Sequence, residues 1–200
     1  PGFKITYNVA KKATMAAMYG DLFMRVLYRV RPYEAIKGST NELYQSWIDK
    51  CQENVKDGNM KEFKKNVYQI VKEFDELPCL DIKKPRVGLV GEILVKFHPT
   101  ANNEIVKTIE AEGAEAVMPD LIDFFQYSFY NAKFKHEHFD TTWKNEKLCN
   151  LAIKLVDFLR KDMIKALKAS KRFEAPTPIE VPVPAPTQAP AQDVASALFG

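Results

Sequence analysis

The sequence predicts a mixed α/β fold, with a helical subregion followed by a β-α-β unit and long flanking helices. Two observations predict it. Apolar residues recur at helical spacing through residues 10–78 and again after residue 121. Between these stretches, two short apolar runs flank a capped helical segment, the pattern of a right-handed β-α-β crossover.

The first helix spans about Lys11 to Val30, with Met15, Met18, Leu22, Phe23, Val26, Leu27 and Val30 as its stripe. Gly20 lies inside it, at a cost of about 1 kcal/mol relative to Ala. Arg31-Pro32 ends it, since the residue before a proline avoids the α region. Ser39-Thr40-Asn41-Glu42 reads as a capping box opening a second helix, whose apolar face is Leu43, Trp47, Ile48, Cys51 and Val55. Asp57-Gly58-Asn59 breaks that helix. A third, about Met60 to Glu76, carries Phe63, Val67, Ile70, Val71 and Phe74, and Pro78 closes it.

The run Arg86 to Gly91 is apolar, β-branched and bounded by glycine, so it reads as a strand buried on both faces of a parallel sheet. A loop from Glu92 to Ala101 follows. Thr100 or Asn102 caps a helix over Glu104 to Glu112, and Gly113 ends it as a left-handed C-terminal cap. Ala116-Val117-Met118 is the second strand. An aromatic helix spans Leu121 to Phe134 and a polar turn covers Lys135 to Asp140. A long helix runs from about Thr142 to Ser170, with Leu148, Leu151, Ala152, Leu155, Phe158, Leu159, Met163 and Leu167 on its inner face. This gives a helical subregion over residues 10–78 and an α/β lobe over residues 83–172. Residues 174–200 hold six of the twelve prolines among Ala, Val, Thr and Gln. Such a segment cannot make a core and reads as a linker or disordered tail.

Composition narrows the function classes. A net charge of +3, with Lys interleaved with Glu and Asp, argues against a dedicated nucleic-acid binder. No apolar run reaches the roughly 18 residues of a membrane span. The opening PGFKITYNVAKKATMAAMYG lacks the apolar core of a signal peptide, and it begins without Met, as expected of a start inside a longer protein or after processing. Cys51, Cys79 and Cys149 are odd in number, far apart and outside any CxxC, which fits a reducing cytoplasm rather than a disulfide framework.

The loop from Gly91 to Asn103 is where chemistry is expected, because open α/β sheets bind ligands beyond the carboxyl ends of their strands. Gly88 and Gly91 are not a GxGxxG, and GxxxxGK[ST] is absent, so a standard phosphate loop is not expected. Glu92, His98, Asn102 and Asn103 are the candidate ligand-binding residues. Each also has a structural use. Glu92 can bond loop backbone, His98 can pack or cap, and the two asparagines can cap the following helix or, with its free N–H groups, hold an anion. His136, Glu137 and His138 resemble a metal site superficially, but they lack the further Cys or His that zinc requires. Asp120 and Asp123 either share the crevice with Glu92 or, more simply, cap the aromatic helix. The aromatics from Phe124 to Phe134 read mainly as core, with part of them available to an interface.

The segment KKPRVGLVGEILVKFHPTANNEIVKTIEAEGAEAVMPDLIDFF resembles the acyl-CoA dehydratase activase-related proteins of the 2-hydroxyacyl-CoA dehydratase superfamily. The likeness extends through YGDLFMRVLYRVRPYE upstream and NLAIKLVDFLRKDMIKALKASKRF downstream, and VGEILVKFHPTANN is its most specific part. The resemblance implies a partial flavodoxin-like lobe and a role in a redox protein that removes water from a 2-hydroxyacyl-CoA. In the superfamily an activator hydrolyses ATP and passes a low-potential electron to the dehydratase, and dehydratase-like regions hold a [4Fe-4S] cluster through cysteines. This chain has no actin-like phosphate motif, and Pro119-Asp120-Leu121 stands where related dehydratases can place a cysteine. Cluster and ATP are therefore expected in a full-length parent, not in this chain. The expected partners are other domains or subunits of that parent, and an acyl-CoA. The alternative is a non-catalytic interaction module that docks other subunits through its helices.

Overall fold

The structure is a computed structural model. It describes residues 6–139 and 143–176, and within them the side chains other than those of residues 129, 132–139, 143–149 and 152. The fold is mostly helical, with a two-stranded parallel sheet.

Helix α1 spans Tyr7–Val30, capped by Thr6, whose hydroxyl accepts from the Val9 N–H at 3.3 Å. Arg31-Pro32 tightens the chain into a short 3-10 turn, Arg31–Tyr33. Helix α2 is Ser39–Asp57 and α3 is Met60–Glu76. Between them Gly58 takes the left-handed conformation at φ 70°, and Asn59 caps α3 by accepting from Lys61 and Glu62 N–H.

The expected capping box at Ser39 does not form. Gly38, at φ 93°, occupies the cap position, so Ser39 is already helical and its hydroxyl has no partner among the described residues. Glu34 does the work from upstream, accepting from Gly38 N–H at 2.6 Å and Thr40 N–H at 3.1 Å. Burial pushes the Glu34 carboxyl up, but these bonds outweigh it and hold the group below its ordinary pKa.

Residues 78–85 cross as an extended strap, tied to the 3-10 turn by Ala35 N–H to Pro78 O at 2.9 Å and Leu80 N–H to Tyr33 O at 2.8 Å. Strands β1, Arg86–Gly88, and β2, Glu115–Val117, then pair in parallel, with Arg86 opposite Glu115 and Gly88 opposite Val117. The sheet is smaller than the apolar runs predict. The expectation of a doubly buried first strand also fails. All three β1 residues are exposed, because β2 is the only strand beside β1 among the described residues.

Two helices lie between the strands, α4 (Ile93–Phe97) and α5 (Ile105–Ala111). The first stands where the sequence predicts a loop. Helix α6 runs Leu121–Phe139, through most of the expected polar turn, and α7 runs Trp143–Ala169.

The main core joins α1, α2 and α3 to α6 and α7. Phe63, Phe74, Met15, Leu22 and Ile70 meet Ile122, Val156, Leu159, Met163 and Leu167. On α7 the inward stripe includes Ile153, Val156, Leu159, Met163 and Leu167, which turns Leu151 and Phe158, expected inside, to solvent at 64% and 68% exposure. A small second cluster, Ile109, Ala114 and Ala116, backed by Leu89, Ile105 and Val106, supports the sheet. The proline-rich segment from residue 177 onward and the side chains of His136, Glu137, His138 and Cys149 lie outside what the structure describes.

Candidate functional site

The loop from Gly91 to Asn103 starts at a turn only glycine adopts freely: Gly91 has φ 144°. Glu92 caps α4, its carboxylate accepting from Val95 N–H at 3.1 Å. That cap explains why a stretch expected to be loop is helical. At the other end of α4, His98 Nδ1 accepts from Ala101 N–H at 3.2 Å and the His98 carbonyl accepts from Asn102 N–H at 3.1 Å. Asn102 donates to Lys96 O at 3.0 Å and accepts from Ile105 N–H at 3.3 Å, so it fastens α4 to α5 from two residues before Glu104, which holds the cap position itself.

Asn103 and Glu104 follow in the left-handed region at φ 54° and 55°. Two consecutive non-glycine residues there store backbone strain, less at Asn103 than at Glu104. The loop folds over α1 to form a cleft of about 200 Å³ bounded by Leu27, Tyr28, Arg31, Lys96, Pro99 and Asn102. Of the five residues singled out in sequence, Asn102 lines this cleft. Gly91, Glu92, His98 and Asn103 are exposed. Glu92 and His98 thus serve as local caps at opposite ends of α4, and no hydrogen bond joins their side chains.

The strongest electrostatics lie away from this loop, around Asp120 and Glu115. Asp120 does not cap α6. It accepts from Arg25 Nε at 2.7 Å and Arg160 at 2.6 Å. The cap comes from α1, where the fully buried Asp21 accepts from Leu121 and Ile122 N–H at 2.7 and 2.9 Å. Burial, then the Asp120 charge, pushes Asp21 up to about 7. Arg160 also donates to Asp123 at 2.6 Å and to Gln126 at 3.3 Å, so both aspartates turn to α7 rather than to Glu92.

Glu115 on β2 is a second hub. It is buried and accepts from Arg29, from Tyr33 Oη at 2.8 Å and from Arg86 Nε at 3.1 Å. Arg31 grips Glu110 through two nitrogens at 2.8 and 2.9 Å. Arg25, Arg29 and Arg31 thereby stitch the helical bundle to the sheet unit. The available sequence signal was a charge inside an apolar pattern: Asp21 beside Leu22, Glu115 beside Ala116, and Arg160 beside Leu159.

Inside the bundle Tyr19 Oη donates to Asn54 Oδ1 at 2.8 Å and accepts from Asn66 at 3.2 Å, a satisfied polar trio. Burial pushes the nearby Cys51 thiol up to about 12, which leaves it inert at neutral pH. Among the described residues no cluster of three His, Cys, Asp or Glu side chains is arranged to hold a metal ion, and no helix is long and apolar enough to cross a membrane. Set against family models, curated proteins and solved structures, the chain matches none of them.

Proposed function

We propose that this chain is a lobe of a dehydratase- or activator-like redox protein linked to 2-hydroxyacyl-CoA dehydration. In this reading it holds a neighbouring domain or an acyl-CoA against the Gly91–Asn103 loop and is not catalytic alone. The sequence likeness at VGEILVKFHPTANN supplies the family. The observation that carries the positioning role is the open side of the sheet unit. Val90 and Leu94 are 91% and 76% exposed, beside the uncovered β1. Parallel strands ordinarily lie buried with further strands alongside, so this apolar edge suits a covering domain. The local use of Glu92, His98 and Asn102 as caps supports positioning over catalysis.

Titration with acetyl-CoA and anaerobic iron–sulfide reconstitution of the full gene product test the two parts of this reading. Binding lost in Leu94→Asp supports the loop as the contact. A full product that takes up no iron and shows no dithionite-dependent spectrum ends the redox part.

A second reading, an interaction module, rests on α6. Phe124, Phe125 and Tyr127 each stay more than two-fifths exposed on it. Sedimentation velocity distinguishes the two: self-association abolished by Phe125→Ser favours the module.

A further inference from the structure

A separate cleft of about 450 Å³ opens between the strap, the end of α1 and the segment after α7. Five cations line it, Arg29, Lys83, Lys84, Arg86 and Arg172, against one lining carboxylate, Asp81. That concentration stands out in a chain whose whole net charge is +3. The cleft does not touch the Gly91–Asn103 loop.

Internal partners do not use up this charge. Glu115 takes Arg29 and Arg86 from below, and Glu174 meets Arg86 at 3.1 Å. Counting Glu115, Glu174 and Asp81 together leaves three carboxylates against five cations, an excess of two positive charges. The Lys83 and Lys84 amino groups have no carboxylate partner among the described residues. Cys79 lies in the same wall, 3.0 Å from Arg172, but burial raises its pKa, so it stays a neutral thiol and cancels none of this charge.

The arginines are also set in place before any ligand arrives. Arg29 Nε donates to Arg172 O at 3.3 Å, and Arg172 donates to Leu77 O at 2.6 Å. Such preset guanidinium groups lower the ordering cost of binding and match the oxygens of a tetrahedral dianion. The Arg86–Glu174 pair is weak, because Glu174 is 71% exposed, so an incoming dianion displaces it cheaply.

We propose that this cleft binds a phosphate-bearing small molecule, with the phosphate against Arg86, Arg172 and the Lys83-Lys84 pair. Leu80 and Ile82 on the strap offer an apolar wall for the remainder of the ligand.

Isothermal titration of the chain with inorganic phosphate, pyrophosphate and glycerol 3-phosphate tests this. Saturable binding of at least one probe is expected, weakened about tenfold or more in Lys83→Ala/Lys84→Ala, the loss of at least one of two charge-assisted contacts. The exposed α3 pair Lys61→Ala/Lys65→Ala is the control and keeps the parent affinity. The tightest probe distinguishes a free phosphate, a diphosphate and a phosphomonoester as the source. Circular dichroism verifies the fold, and the single exposed change Lys83→Glu reads the same cleft if the double variant melts early. No saturable binding by any probe, or an equal loss in the control, overturns the proposal.

Discussion

Arg160 of α7 donates to Asp120 at 2.6 Å, with the two side chains 5% and 1% exposed. A buried ion pair adds little net stability over a well-packed apolar replacement, yet removing one partner strands a charge out of water. Arg160→Leu leaves Asp120 with Arg25 alone and takes the guanidinium from Asp123. The expected loss is about 3 kcal/mol, the low end for a broken buried pair. Urea unfolding measures it, and a change no larger than the roughly 0.5 kcal/mol of a surface substitution would sink the assignment.

Asp21 makes stability depend on pH in an uncommon direction. Its folded pKa of about 7 lies above its ordinary 3.8, so the protonated acid is the form the fold favours. Its contribution is complete below about pH 4, falls as pH rises toward 7, and is flat above that. The slope is at most about 1.4 kcal/mol per pH unit. Asp21→Asn keeps an acceptor for the start of α6 without the titration. Relative to the parent, the variant gains stability as pH rises from 4 to 7. A difference that stays constant across that window refutes the shift.

Gly20 lies mid-helix in α1, and a β-carbon built there meets nothing within 4 Å. Gly20→Ala therefore raises stability by about 1 kcal/mol through helix propensity and a less disordered unfolded chain. Thermal melting reads this directly, and a lowered midpoint contradicts it.

The loop carries a paired prediction. Gly91→Ala forces an L side chain into φ 144° and costs on the order of 1–2 kcal/mol. Glu104→Gly relieves a left-handed residue and gains about 1 kcal/mol, less a few tenths for its exposed pair with Lys107. Opposite shifts in the unfolding midpoint are expected. Shifts of the same sign would mean that strain in this loop does not govern its stability.

Periodicity made the helices legible, and α3 ends where its stripe and Pro78 place it. Gly113, left-handed at φ 84°, stops α5 as its chemistry dictates, whereas the position before the helix falls to Glu104 rather than to Asn102 or Thr100. Long-range capping was not legible. The Ser39 box lost to Glu34, and the expected Asp120 cap lost to Asp21 from about a hundred residues upstream. Nothing in local spacing distinguishes those competitors, because the winner is set by which carboxylate the tertiary fold brings to the free N–H groups. The same holds for β1, whose apolar pattern reports a buried strand without reporting what buries it. The stretch read as one loop from Glu92 to Ala101 holds a helix, Ile93–Phe97. The exposure and separate capping roles of Glu92 and His98 became visible only once α4 stood between them.

The arginines of α1 find their partners very late in the chain: Arg25 bonds the carbonyl of Glu174, 149 residues on, and Arg29 that of Arg172. At about 5–20 residues per second, a ribosome makes those partners roughly 7–30 seconds after α1 has been synthesised. Helices α2 and α3 can dock on α1 in the interval, but the face awaiting α6 and α7 stays uncovered. While residues 77–169 are being made, the nascent chain is thus a half-closed bundle with Asp21 and its apolar neighbours open to chaperones, and translation speed across residues 120–174 becomes a determinant of folding yield.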